Sequence, residues 1–157
     1  PKAMTKPLVF MMGKSPAFLA ADRKYARNHM WAETVDDGWR LGFSAYAVRL
    51  LGDVRHLEWS AEPGAAVVPG QAIGFVEGSK ATSDLYAPLP GRLVELNRGV
   101  LADPTLLNSA PYDDGWLLIL QTAGDGLLSP QEYVVHLEAC WPLAERMLKG
   151  QASGNDG

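Results

Sequence analysis

The sequence is sparing with the residues that most often give a function away. Cysteine occurs once, at Cys140. A single thiol excludes an internal disulfide and fits a reducing compartment, so a cytoplasmic protein is expected. Histidine occurs three times, at His29, His56 and His136, too far apart for any local metal motif, and no metal is expected. No apolar run approaches the ~18 residues of a membrane span, so no membrane partner is expected. Basic residues number 14 against 18 acidic ones, a net charge of -4. That balance argues against nucleic acid, whose binding usually needs a basic patch. Residues 1–21 lack both the longer apolar run and the arginines of a targeting segment. No nucleophile–base pair, metal cluster or phosphate loop stands out, so the chain is not expected to be an enzyme.

Lysine is also scarce, and unevenly so. Lys2, Lys6, Lys14 and Lys24 lie near the start and Lys149 near the end. Between Lys24 and Lys149 the positive charges are arginines, with one exception, Lys80.

What is present suits one globular domain: 157 residues, 47% hydrophobic and 20% charged. Residues 1–22 read as a loosely held arm. Strand-like runs on either side of Asp36-Asp37-Gly38 predict a hairpin. "SAYAVRLLG" predicts a short helix near 44–51, with Ser44 as cap and Gly52 after the end. "DVRHLEWS" alternates as a strand does, though both faces offer candidates for burial. From Glu62 to Leu96, Pro/Gly breaks separate "AIGFV", "SDLYA" and "RLVEL", a pattern of short strands in a small barrel or sandwich. "NRGVLADPTLLNSAP" reads as a long connection, and "GWLLIL" as a further strand.

Beyond residue 123 the pattern becomes helical. Ser129, Pro130 and Glu132 form a capping box with proline at the first helical position. Pro142 is expected to kink or split that helix, and 150–157 to form a disordered tail. The expected organisation is an arm (1–22), a mainly β domain (23–123), a C-terminal helical extension (124–149) and the tail. Trp31, Trp59 and Trp116 are expected in the core. Cys140 is expected to be a buried thiol, His56 and His136 to be structural, and His29 to be a packing residue.

Lys80 sits in "GFVEGSKATSDLYAPLPG", two residues after Gly78 and between strand-like runs. A lysine amine can lose its proton and act as a nucleophile, whereas a guanidinium stays protonated. A tight turn flanked by Ser79, Thr82 and Ser83 would present that amine to solvent. A solvated turn lysine is the commoner use of such a residue.

The residues around it carry a resemblance. "VEGSKATSDLYAPLPGRLVELN" resembles the lipoylation segment of glycine cleavage system H proteins, with Glu77, Lys80, Ala81, Ser83, Asp84, Tyr86, Pro88 and Gly91 in register. "YARNHMW" resembles that family's opening strand, "GFSAYAVRLLGDV" its helix and "NRGVLADPTLLNSAPYDDGWLLIL" its closing part, in the same order. Biotin sites, on a similar fold, resemble A-M-K-M; Ser79 and Ala81 flank Lys80 here, which favours lipoyl.

The resemblance implies a lipoyl-type flattened β-barrel, or barrel-sandwich hybrid, carrying lipoic acid in amide linkage on Lys80. It implies that Glu77, Ala81 and Asp84 are read by a lipoate ligase or lipoyl transferase, and that His29 has contact with the arm as a second possible role. The arm would shuttle an aminomethyl group between glycine cleavage enzymes: a pyridoxal-phosphate glycine decarboxylase, a tetrahydrofolate aminomethyltransferase and dihydrolipoyl dehydrogenase. The chain departs from the pattern at Gly78 and Ser79, at Trp59, and in the length of both ends. An alternative is an H-like carrier for a heterodisulfide-reductase-like sulfur-oxidation complex. A different class is a lipoyl-fold binding module that lost modification.

Overall fold

A computed structural model describes residues 6–156, with side chains through Gly150. In chain order the elements are β1 (Leu8–Met12), β2 (Ser15–Leu19), β3 (Lys24–Tyr25), β4 (Met30–Val35), β5 (Gly38–Phe43), α1 (Ala45–Leu51), β6 (Val54–Trp59), β7 (Ala66–Val67), β8 (Ala72–Gly78), β9 (Thr82–Tyr86), β10 (Gly91–Leu96), α2 (Arg98–Ala102), α3 (Leu106–Ser109), β11 (Leu118–Gln121) and α4 (Pro130–Asp156).

The body is a flattened sandwich of the mainly β class expected. One sheet has six strands in the order β3-β4-β5-β11-β10-β7, and the other three in the order β6-β8-β9. Leu41, Leu93, Leu118 and Leu120 from the larger sheet and Leu57, Ile73, Val76 and Leu85 from the smaller share one core. Each such fully buried aliphatic side chain stabilises the fold by about 1.5–3 kcal/mol. Local signals set the elements that frame this core. Asp36 and Asp37 close the β4–β5 hairpin, with Val35 opposite Gly38. Ser44 accepts a hydrogen bond from the Ala47 amide at 3.2 Å and so caps α1.

A second apolar cluster lies outside the sandwich and ties both ends of the chain to it. It holds Phe10, Met12, Ala17 and Leu19 from the first hairpin, Trp31 and Tyr46 from the body, and Tyr133 and Leu137 from α4. The segment 6–22 is therefore not a loose arm: β1 and β2 pair from Leu8–Leu19 to Met12–Ser15. Their apolar residues occupy both faces, with Val9, Met11 and Phe18 outward, so no alternation marks the strands in the sequence. Trp31 is buried in this outer cluster rather than inside the barrel, and Trp59 and Trp116 are only partly buried.

Other elements also differ from expectation. The expected long connection from Asn97 holds two short helices, because Asn97 caps α2 through the Gly99 amide at 2.9 Å. β6 is not a regular alternation: a bulge between Val54 and His56 buries Val54 and Leu57, three residues apart. Pro142 does not split α4, which runs on as one helix. The missing amide costs a backbone bond, but Tyr133, Leu137 and Trp141 hold the preceding turns against the outer cluster. The expected disordered tail is helix as far as Asp156; Gly157 and the side chains beyond Gly150 lie outside the described residues. Ser129 and Glu132 form the reciprocal capping box: the Ser129 amide donates to Glu132 Oε1 at 2.8 Å and the Glu132 amide to Ser129 Oγ at 3.1 Å.

Candidate functional site

Lys80 stands at the tip of the β8–β9 hairpin. The last ladder pair is Glu77 with Thr82, and the Gly78 amide donates to the Ala81 carbonyl at 2.9 Å across the four-residue loop. The side chain is exposed and makes no ion pair among the described residues. The tip is nevertheless fixed. The Lys80 amide donates to the Leu51 carbonyl and the Ser79 amide to the Asp53 carbonyl, each at 2.9 Å. The Asp53 amide returns a bond to Ser79 Oγ at 2.9 Å. The loop is thereby pinned to the C-terminal end of α1.

Two glycines permit that approach. Gly52 has φ +77, which L side chains rarely adopt, and a Cβ there would strike Ser79 Oγ and Lys80 Cγ. Gly78 has no positive φ; its role is clearance, since a Cβ would strike the Leu51 carbonyl oxygen. Gly78 thus serves close packing rather than turn geometry. Behind the joint, Asn108 on α3 accepts from the Val54 amide and donates to the Gly52 carbonyl, both at 2.8 Å. The sequence reading missed this clamp as part of the site. Asn108 is 28 residues past Lys80, and only the tertiary fold brings α3 under α1.

Beside the hairpin lies a groove of about 280 Å³. Met30, Phe43, Ala47, Leu50, Leu51, Val76 and Leu85 give it apolar walls, and Ala81, Ser83 and Asp84 bring the hairpin itself to its edge. The rim is closed by Asn28, whose amide donates to the Tyr86 carbonyl at 3.0 Å. His29 lines the same groove. Burial, with the neighbouring His136, lowers its pKa to about 4, so the ring is neutral at pH 7. Its Nδ1 lies 2.9 Å from the Tyr133 hydroxyl, itself 2.8 Å from Ser44 Oγ.

Ala81 and Asp84 line the groove, whereas Lys80, one residue before Ala81, lines a separate depression with Val48, Gly52, Asp53 and Asn108. Glu77 is exposed in the sheet, between Thr82 and His56 on the neighbouring strands. Asp84 accepts from the Tyr86 hydroxyl at 3.4 Å. His29 both packs and faces the groove, with its ring 4.9 Å from that of Tyr46. Cys140 is half-buried rather than enclosed, 3.7 Å from His136 Nε2. The arrangement offers an exposed amine on a rigid tip beside a largely apolar trough, which suits covalent carriage of an apolar arm.

Comparisons with known proteins point the same way. The family model described as glycine cleavage H-protein matches residues 23–139. A glycine cleavage system H protein of Streptomyces avermitilis is 39% identical over 113 residues, covering 70% of this chain and 90% of that one. The mitochondrial one of Pisum sativum is 36% identical over 119 residues, covering 73% and 72%. A crystal structure of the Mycobacterium marinum protein of the same name superposes with a TM-score of 0.64 at 36% identity, covering 73% of this chain and 95% of that one.

Proposed function

Because the chain belongs to the glycine cleavage H-protein family, whose members are lipoate carriers, we propose that Lys80 is its lipoyl attachment site. The fold is the lipoyl-type barrel-sandwich hybrid, and the protein is a lipoyl carrier of glycine cleavage. The observation that carries the Lys80 reading is the pinned hairpin: an exposed lysine with no ion pair among the described residues, whose chain neighbour Ala81 lines an apolar groove.

The residues present fit the group. Acylation removes the lysine charge and leaves a mainly apolar arm, and Ala81, next in the chain, already lines the groove. When bound, the lipoyl group supplies a dithiolane that accepts and releases the aminomethyl cargo. This chain's residues supply position. Gly52, Gly78 and Asn108 keep the tip from swinging, and the apolar walls exclude water from an arm lying in the groove. Neutral His29 offers its ring at the groove wall. Glu77 and Asp84, exposed on the hairpin, are the charges a lipoate ligase or lipoyl transferase would read.

The partners of this reading are the glycine decarboxylase, the aminomethyltransferase and dihydrolipoyl dehydrogenase. The sulfur-oxidation alternative gains no support, since the matching relatives are named for glycine cleavage. The lipoylated chain is expected to support glycine decarboxylation by the decarboxylase of its own host. A normal adduct with no decarboxylation would sink the partner assignment.

A further inference from the structure

α4 crosses the turn between β3 and β4, and the crossing gathers three side chains able to bind a metal. His29 lies in the turn, while His136 and Cys140 are four residues apart on one face of α4. One ligand atom from each lies within 4.8 Å of the other two. The two imidazoles stack with centroids 5.5 Å apart, and Cys140 Sγ is 4.0 Å from His136 Nδ1. All three side chains are half-buried, so an ion can reach them.

Both rings already have hydrogen-bond partners that set their tautomers. His136 Nε2 lies 2.9 Å from the Arg27 carbonyl oxygen, which can only accept, so Nε2 holds the proton and Nδ1 is left as the ligand atom; Cys140 Sγ is 3.7 Å from Nε2 and 4.0 Å from Nδ1, so the ring must turn to aim Nδ1 at an ion shared with the sulfur. At His29 the partner of Nδ1 is the Tyr133 hydroxyl, and beyond it Ser44. Donation in the order His29, Tyr133, Ser44 frees His29 Nε2 as a ligand. Outer hydrogen bonds of this kind orient metal-binding histidines. His29 is also held at φ +75, the one positive φ of a non-glycine among the described residues. Packing that persists in such a conformation fixes where the ring can point.

We propose that His29, His136 and Cys140 form a three-ligand site for a borderline-soft divalent ion, zinc above all, with a fourth position left to water. Zinc bonds of about 2.0 Å to nitrogen and 2.3 Å to sulfur put neighbouring ligand atoms about 3.5 Å apart. The sulfur–nitrogen distance of 4.0 Å must therefore close by a few tenths of an ångström, and the widest of the three separations, which reach up to 4.8 Å, by about an ångström. On binding, the Cys140 thiol gives its proton to solvent, and the thiolate and two neutral imidazoles hold the ion. The set has no oxygen ligand, which disfavours magnesium and calcium. Cys140 lies one residue beyond the segment matched by the family model, 23–139. The bound ion would clamp α4 to the β3–β4 turn, and so to the wall of the groove that His29 lines.

The test uses the full chain produced without lipoate and shown by mass to be unmodified, so that no lipoyl dithiol competes for the ion. Cobalt(II) is the probe. One equivalent is expected to bind, with a thiolate-to-cobalt charge-transfer band in the near ultraviolet, and zinc is expected to displace it. Cys140→Ser should remove that band and weaken zinc binding at least about tenfold; His136→Gln, which keeps a donor toward the Arg27 carbonyl, should weaken it similarly. Zinc should raise the melting temperature of the parent and not of Cys140→Ser. If His136→Gln does not fold, Cys140→Ser alone decides. Failure to saturate at one equivalent, or a band that survives Cys140→Ser, would overturn the proposal.

Discussion

Gly78→Ala isolates the contact that holds the lysine tip. Gly78 does not lie at positive φ, so alanine brings no backbone strain of that kind. Its methyl group would collide with the Leu51 carbonyl oxygen and approach Leu51 Cβ at 3.1 Å. Leu51 ends α1 and is 5% exposed, so it cannot step aside cheaply. The hairpin tip must move instead. That movement breaks the bonds from Lys80 to Leu51, from Ser79 to Asp53 and from Asp53 to Ser79 Oγ, each 2.9 Å. At about 1 kcal/mol each, less what water restores at an exposed joint, the loss is roughly 2–3 kcal/mol. For a chain of this size it lowers the melting temperature by roughly 5–10 °C. Urea unfolding should show a lower midpoint and an unchanged slope. Gly64→Ala is the control: its φ is +97, but nothing lies within 4 Å of the added Cβ. It should cost only the backbone term, about 1–2 kcal/mol. The ligase should also act more slowly on Gly78→Ala, whose tip is displaced, than on Gly64→Ala. Gly78→Ala unfolding within about 0.5 kcal/mol of the parent, the usual span of a neutral surface change, would refute the pinned-tip account.

Asn108→Ala removes two hydrogen bonds at the same joint and should cost about 2 kcal/mol in urea unfolding, with slower modification of Lys80. Leu137→Ala opens a cavity between α4 and the first hairpin and should cost about 2–5 kcal/mol, read by calorimetry. Glu132 is exposed, and the Ser129 amide and hydroxyl hold its carboxyl below the usual carboxylate range. A depressed folded pKa gives stability that is present above the ordinary carboxylate pKa and is lost as pH falls through the folded value. Glu132→Gln should therefore lose less stability on acidification than the parent, measured as urea midpoints at neutral and acid pH.

The readability of this chain tracked the range of the interactions concerned. The β4–β5 turn, the α1 cap at Ser44 and the capping box at Ser129 depend on residues within a few positions, and each stands as the local pattern implied. The first hairpin was hidden because Val9, Met11 and Phe18 stay outside while Phe10, Met12, Ala17 and Leu19 go inside. A strand apolar on both faces shows no period. The continuity of α4 through Pro142 was hidden because what holds it, the packing of Tyr133, Leu137 and Trp141, comes from residues far away in sequence. At the candidate site, the segment around Lys80 stands out in the sequence because motif and turn coincide there. The joint that fixes the tip was not, since it is assembled from Gly52, Asp53 and Asn108 on other elements. The approach of His29 to His136 and Cys140 is tertiary for the same reason.

The central claim is that Lys80 carries the lipoyl arm. It is tested most directly by producing the chain together with a lipoate ligase, digesting it and mapping the adduct by mass spectrometry. The account predicts one lipoyl group per chain, on the peptide that contains Lys80, and none on Lys80→Arg. An unmodified parent chain, or an adduct on any other lysine, would contradict it.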